Sequence, residues 1–129
     1  MRVHHPDALA WRRMGDIPMG WMRDHIDATE LEGRLCFHEQ GTAASMQLME
    51  LRLDPGTLIA PHSHNEDEIY FVADGSLSWK GRTLPAGGSI FIPAGTTYSF
   101  GTGEAPARLL NFRARADHSF NPPNAARRS

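Results

Sequence analysis

The chain of 129 residues has one cysteine, Cys36, only two tyrosines, and no surplus of positive charge. A single cysteine excludes an internal disulfide, so the fold does not depend on oxidation. Thirteen Lys+Arg stand against fifteen Asp+Glu, a formal charge of −2 with the signs interspersed, which leaves no basic stripe for a phosphate backbone. Nucleic acid is not an expected partner. No apolar run approaches the roughly 18 residues that span a membrane, and the first residues, with Arg2, His4, His5, Arg12 and Arg13, lack the apolar segment of an export signal. The expectation is a soluble protein of the cytoplasm with no membrane partner. Glycine-rich phosphate loops, serine nucleophile elbows and paired zinc-ribbon cysteines are also missing.

What is present reads as one all-β domain. Hydrophobic residues make up 40 %, including three Trp, six Phe and six Met, enough for a core. The chain has twelve Gly and nine Pro, which punctuate it every few positions from Gly33 onward and favour short strands over long helices. Strand-like segments are expected at 46–53, 68–73, 76–79, 89–92, 97–101 and 107–113. Each is bounded by a turn signal such as Asp54-Pro55-Gly56, Asp74-Gly75 or Lys80-Gly81. Strands at this spacing imply a sandwich or barrel. The expected organisation is an N-terminal arm with the first strands (1–45), a barrel core (46–116) and a flexible tail (117–129). The tail from Asn121 onward lacks apolar content and is expected to be disordered.

Alternation in 46–53 puts Met49, Leu51 and Leu53 on a buried face and Glu50 and Arg52 on the other. Residues 69–72 and 90–92 are apolar on both faces, so their outer face needs cover. Either the arm, through Trp11, Met14, Ile17, Met19, Trp21 and Met22, or a second copy of the chain would provide it.

The chemically informative stretch is 56–68. His62 and His64 are two apart, so on an extended strand both imidazoles leave one face. Two neutral imidazoles form a natural chelate for a first-row metal. Glu68, opening the next hydrophobic strand, supplies a carboxylate that can join them.

These residues belong to a longer pattern: Gly56, five residues, His62, one residue, His64, three residues, Glu68, six residues, Gly75. It resembles the first signature of the cupin superfamily at all five fixed positions, a chance match of order 10⁻⁵. The second cupin signature is matched at Gly87, Pro93 and Gly95 and then departs, with Tyr98 in place of the third His and Thr102 in place of Asn. The resemblance implies a double-stranded β-helix, or jelly-roll barrel, with a divalent transition metal in its mouth, and commonly a homodimer. It makes His62, His64 and Glu68 metal ligands, with Tyr98 as a fourth ligand, a polar pocket group or packing.

Two His and one carboxylate with open positions suit Fe(II) oxygen chemistry and some catalytic zinc sites; Mn and Ni are also accommodated. Tyr98 and Glu68 are the candidate catalytic groups. Alternation from the ligands adds Tyr70, Val72 and Phe100 as substrate-facing walls. Such a lining suits a small, partly apolar or aromatic substrate. Asn111 and Arg113 are expected to face outward, opposite Leu110 and Phe112. Cys36 is expected to be a small buried residue, and His4, His5, His25, His38 and His118 surface residues. The leading functional expectation is a metal-dependent dioxygenase. The alternatives are a non-redox isomerase, lyase or cyclase and a non-catalytic ligand-binding module, since fold alone decides no function.

Overall fold

A computed structural model describes residues 1–123. The expected disorder of the tail beyond Pro123 lies outside the described residues. Within them, an arm of short 3-10 turns and β1 (Arg12–Arg13) precedes β2 (Arg34–Glu39), β3 (Gln47–Leu53), β4 (Leu58–His62) and β5 (Glu68–Trp79). Then follow β6 (Arg82–Pro85), β7 (Ser89–Ile92), β8 (Tyr98–Gly101) and β9 (Ala107–Arg113). All pairings are antiparallel, in the order β1-β2-β3-β9-β5-β8-β4, with β6 and β7 also on β5. The sheet curls into an all-β jelly roll.

The curl follows from β5. Its first half pairs with β7 and β9, and its second half pairs with β6 and touches β8, so one strand serves both sides of the roll. The expected break at Asp74-Gly75 is instead a register shift within a continuous strand, between Val72 and Asp74. Gly75 has φ +74°, and a Cβ there would stand 1.9 Å from the Pro106 carbonyl oxygen. Glycine is required by close approach of β9, not by chain reversal. The reversal comes later, at Lys80-Gly81, where both residues have positive φ and a two-residue hairpin joins Trp79 to Arg82. The edge strand β6, with no apolar alternation of its own, escaped the sequence reading.

Inward side chains of both halves meet in one core: Leu35, Leu51, Leu53, Ile59, Val72, Leu77, Phe100 and Leu109 among others. The arm adds Met14 and Ile17 to the edge of that core. It does not seal the outer face of the doubly apolar strands. Ile69, Phe71, Phe91 and Phe112 remain exposed there, neighbours by register across β7, β5 and β9. In β3, Leu51 and Leu53 are buried as expected, but Glu50 is buried as well, on the opposite face. Its charge is met there by Arg108 and His38.

The register of β9 corrects a further expectation. Ala107, Leu109, Asn111 and Arg113 face the interior, while Arg108, Leu110 and Phe112 face out. Polarity alone would put Asn111 and Arg113 in water. They turn inward because Glu68, paired with Arg113 in register, needs compensation inside the roll.

Replacing Gly75 by Ala forces both an unfavourable φ and a backbone clash, so Gly75→Ala is expected to cost at least about 2 kcal/mol. Denaturant unfolding of the two proteins would measure it.

Candidate metal centre

Glu68, the first residue of β5, is 2 % exposed and carries the site's main electrostatic feature. Arg113 donates to its Oε2 from Nε at 2.8 Å, Arg113 Nη2 lies 2.7 Å from the same atom, and Asn111 Nδ2 donates to it at 3.3 Å. Oε1 has no partner among the described residues. A buried carboxylate with one oxygen saturated and the other bare is unsatisfied unless it meets a cation or a donor.

His62 ends β4 and His64 lies just beyond the strand, with ring centroids 4.8 Å apart and nearly perpendicular. His62 Nδ1 contacts the Ala60 carbonyl at 2.7 Å, and His64 Nδ1 contacts that of Ser119 at 2.5 Å. A carbonyl only accepts, so each Nδ1 carries the proton and each Nε2 keeps its lone pair. This is the outer-shell arrangement of ligating histidines. Burial pushes the His62 imidazole down to about 4, the Ala60 carbonyl opposing, and also lowers His64. Both rings are neutral near pH 7, as metal binding requires.

The donor set, two bare Nε2 atoms and one bare Oε1, therefore fits a divalent transition ion. These three donor atoms are not gathered to within 4.8 Å of one another, so holding one ion draws them closer. Among the described residues the group gathered within that distance is Cys36, His38 and Glu50, elsewhere on the sheet.

Tyr98 opens β8, opposite His62 in register. Its hydroxyl lies 3.2 Å from that of Tyr70, in hydrogen-bond contact and buried. Burial, together with the neighbouring Tyr70 and Glu68, raises Tyr98 well above the ordinary phenol, and burial raises Tyr70 too. Both stay protonated. Phe100 stacks on Tyr98 at 5.8 Å and meets Tyr70 edge-on at 5.1 Å, forming the floor. Val72 lies fully inside the core. Of the expected walls, Tyr70 brings a polar atom to the site, whereas Val72 and Phe100 are packed in the core.

Three participants were missed at sequence level. Asn111 and Arg113 were placed on the wrong face, as described above. Phe120 stacks on His62 at 4.9 Å with planes 15° apart, and also touches His64 and Trp21. It is held there because Asn121 bridges Ser63 through both backbone groups, Ser119 Oγ accepts from Asn65 N, and Asn121 Nδ2 donates to Asn65 Oδ1. Residues 117–121, placed in the flexible tail, thus strap the histidine side of the mouth. Phe120 was the one large apolar residue in that segment and the available signal. A groove of about 370 Å³, lined in part by Pro61, Trp79, Ile90, Ile92 and Tyr98, lies beside Tyr98. Glu30 was also unremarked; burial and then Asp27 push its carboxyl up to about 7.

Residues 49–113 match the Cupin domain family model, and the chain belongs to that family. Among solved structures it is similar to the polyketide cyclase RemF from Streptomyces resistomycificus, with 20 % identity over 95 % of this chain and 85 % of that one (TM-score 0.68). An RmlC-like cupin protein from Ralstonia eutropha gives 12 % identity over 95 % and 80 % (TM-score 0.64). KdgF from Halomonas gives 20 % over 64 % and 79 % (TM-score 0.56). Comparison with curated protein sequences gave no match. Among the described residues, no helix is long and apolar enough to cross a membrane.

Removing the guanidinium strands a buried carboxylate. Arg113→Gln is expected to destabilise the fold by about 3 kcal/mol and to weaken metal binding, because the guanidinium no longer holds Glu68 Oε2 and aims the carboxylate. Thermal unfolding with and without added metal would check both effects.

Proposed function

We propose that the chain is a metal-dependent enzyme that acts on a small, partly aromatic carbonyl compound without net oxidation, by cyclisation, isomerisation or elimination. The observation that carries this reading is the Tyr98 phenol. It stands where the family pattern has a third histidine, hydrogen-bonded to Tyr70 and beside Glu68. A divalent ion held by His62 Nε2, His64 Nε2 and Glu68 Oε1 would supply Lewis acidity toward a carbonyl oxygen. Zinc, manganese, nickel and iron all suit the donor set.

The chain's own residues divide the remaining work. Arg113 and Asn111 hold Glu68 Oε2 and aim the carboxylate. Tyr98, protonated, donates to an oxygen that gains negative charge, and Tyr70 orients its hydroxyl. Phe120 and the 119–121 strap exclude water from the histidine side. The groove beside Tyr98, with Trp79 and Ile90 on its walls, admits a flat apolar substrate. That a polyketide cyclase shares the architecture across nearly the whole chain supports the same reading.

The dioxygenase reading remains the second, favoured by the two-His-one-carboxylate set itself. A panel of aromatic β-diketones, incubated with and without dioxygen, separates the two. The non-redox reading expects equal turnover in both and no oxygen uptake. It also expects Tyr98→Phe to keep its metal while turnover falls by about 10²–10⁴. Oxygen consumption matched to product contradicts it and supports the dioxygenase. An unaltered panel supports a binding module instead.

The same proposal includes a second copy of this chain on the exposed face of Ile69, Phe71, Phe91 and Phe112. A contiguous apolar sheet face is costly to leave in water, and a two-fold axis would match it to itself. Light scattering on the full chain is expected to give a dimer, and Phe91→Asp with Phe112→Asp a monomer. A monomeric wild type contradicts the assignment.

A further inference from the structure

On the opposite face of the sheet from the core, three donors of different chemistry converge. Cys36 and His38 lie two apart on β2, alternating with Leu35 and Phe37, which pack toward the core. Cys36 is the register partner of Glu50 on β3. The Cys36 Sγ, a His38 ring nitrogen and a Glu50 carboxylate oxygen all lie within 4.8 Å of one another. Cys36 and Glu50 are almost fully buried, and the His38 side chain is 21 % exposed.

Both carboxylate oxygens of Glu50 are engaged, Oε2 more tightly than Oε1. Arg108 Nε donates to Oε2 at 2.6 Å, and Arg52 Nε stands 3.9 Å from that same atom. Oε1 meets His38 Nε2 at 3.0 Å and the distant edge of Arg108 Nη2 at 3.5 Å. Nitrogen and oxygen ligands on one tetrahedral zinc, each about 2.0–2.1 Å from it, stand about 3.3 Å apart. The His38–Glu50 separation is close to that value, and the Cys36 sulfur approaches both. Paired strands set Cys36 and Glu50, and His38 sits at the irregularity in β2 between Phe37 and Glu39.

We propose that Cys36, His38 and Glu50 form a second metal site, for a thiophilic divalent ion of the zinc type. Cys36 Sγ, His38 Nε2 and Glu50 Oε1 are the ligands, with water in the fourth position on the exposed side of His38. Binding releases the Cys36 thiol proton to solvent, and the proton through which His38 Nε2 meets Glu50 Oε1 passes to Nδ1, so that Nε2 presents its lone pair. The thiolate and the carboxylate set two negative charges against the ion's two positive charges and the Arg108 guanidinium. Arg108 keeps its bond to Oε2, so the carboxylate binds through one oxygen only. The site ties β2 to β3 on the outer face and shares no residue with the His62, His64 and Glu68 set.

The test uses the full chain, freed of metal by chelation and titrated with Co²⁺, whose thiolate complexes absorb in the near ultraviolet by charge transfer from sulfur. Wild type and His64→Ala are expected to show that absorption, and Cys36→Ser to lack it. After equilibration with zinc and dialysis, Cys36→Ser is expected to hold one equivalent per chain less than wild type. His38→Gln, at the more exposed position, is expected to show the same loss and guards against misfolding of the buried variant. Circular dichroism of each variant checks its fold. Absence of the charge-transfer band in wild type, its persistence in Cys36→Ser, or an unchanged zinc content in both variants would overturn the proposal. Loss of one equivalent in His64→Ala reports separately on the mouth, so failure of one site is distinguishable from failure of the other.

Discussion

The buried pair of Glu68 and Arg113 is the constraint on which the rest of the site depends. A carboxylate inside a β-roll is tolerated only when its charge is met and its lone pairs are engaged. Arg113 and Asn111 reach it from β9, the strand paired to β5 in register, and satisfy only Oε2. The polar interior face of β9 and the unpartnered Oε1 are both consequences of placing Glu68 there. An apolar pair of similar volume would pack as well or better but would leave no charge to hold a cation.

The roll supplies what the pair cannot. The curl of β5 brings Tyr70 to face Tyr98, while the bulge in β4 between Ile59 and His62 sets His62 opposite Tyr98. Backbone carbonyls of Ala60 and Ser119 then fix both imidazoles in the tautomer that presents Nε2. One of those carbonyls comes from the segment after β9, so the strap that carries Phe120 over His62 also orients His64. One segment thus both covers the mouth and orients the His64 ring.

Much of this was legible in the sequence, and what escaped has a physical reason. The strands at 47–53, 89–92, 98–101 and 107–113 announced themselves through alternation between turn residues. His62, His64 and Glu68 did so through spacing. Asp74-Gly75 was read as a turn because that dipeptide favours reversals, yet Gly75 serves a close backbone approach, which depends on where Pro106 lies in space. Asn111 and Arg113 were assigned by polarity to the outside. Polarity decides a face only where no buried partner competes, and the partner is 43 and 45 residues away in sequence. The same holds for Glu50, whose burial depends on Arg108, and for His38, read as a surface residue until its neighbours on β3 are known. Phe120 sits in a segment with no periodicity, where only tertiary contact reveals a role.

The most direct measurement is the metal content of this chain purified without oxygen, in wild type and His62→Ala side by side. If the two bare imidazole nitrogens and Glu68 Oε1 form a metal centre, the variant holds one equivalent of transition metal per chain less than wild type while keeping its fold. An identical metal content in the two well-folded proteins would contradict the account, leaving the mouth of the roll a polar pocket without an ion.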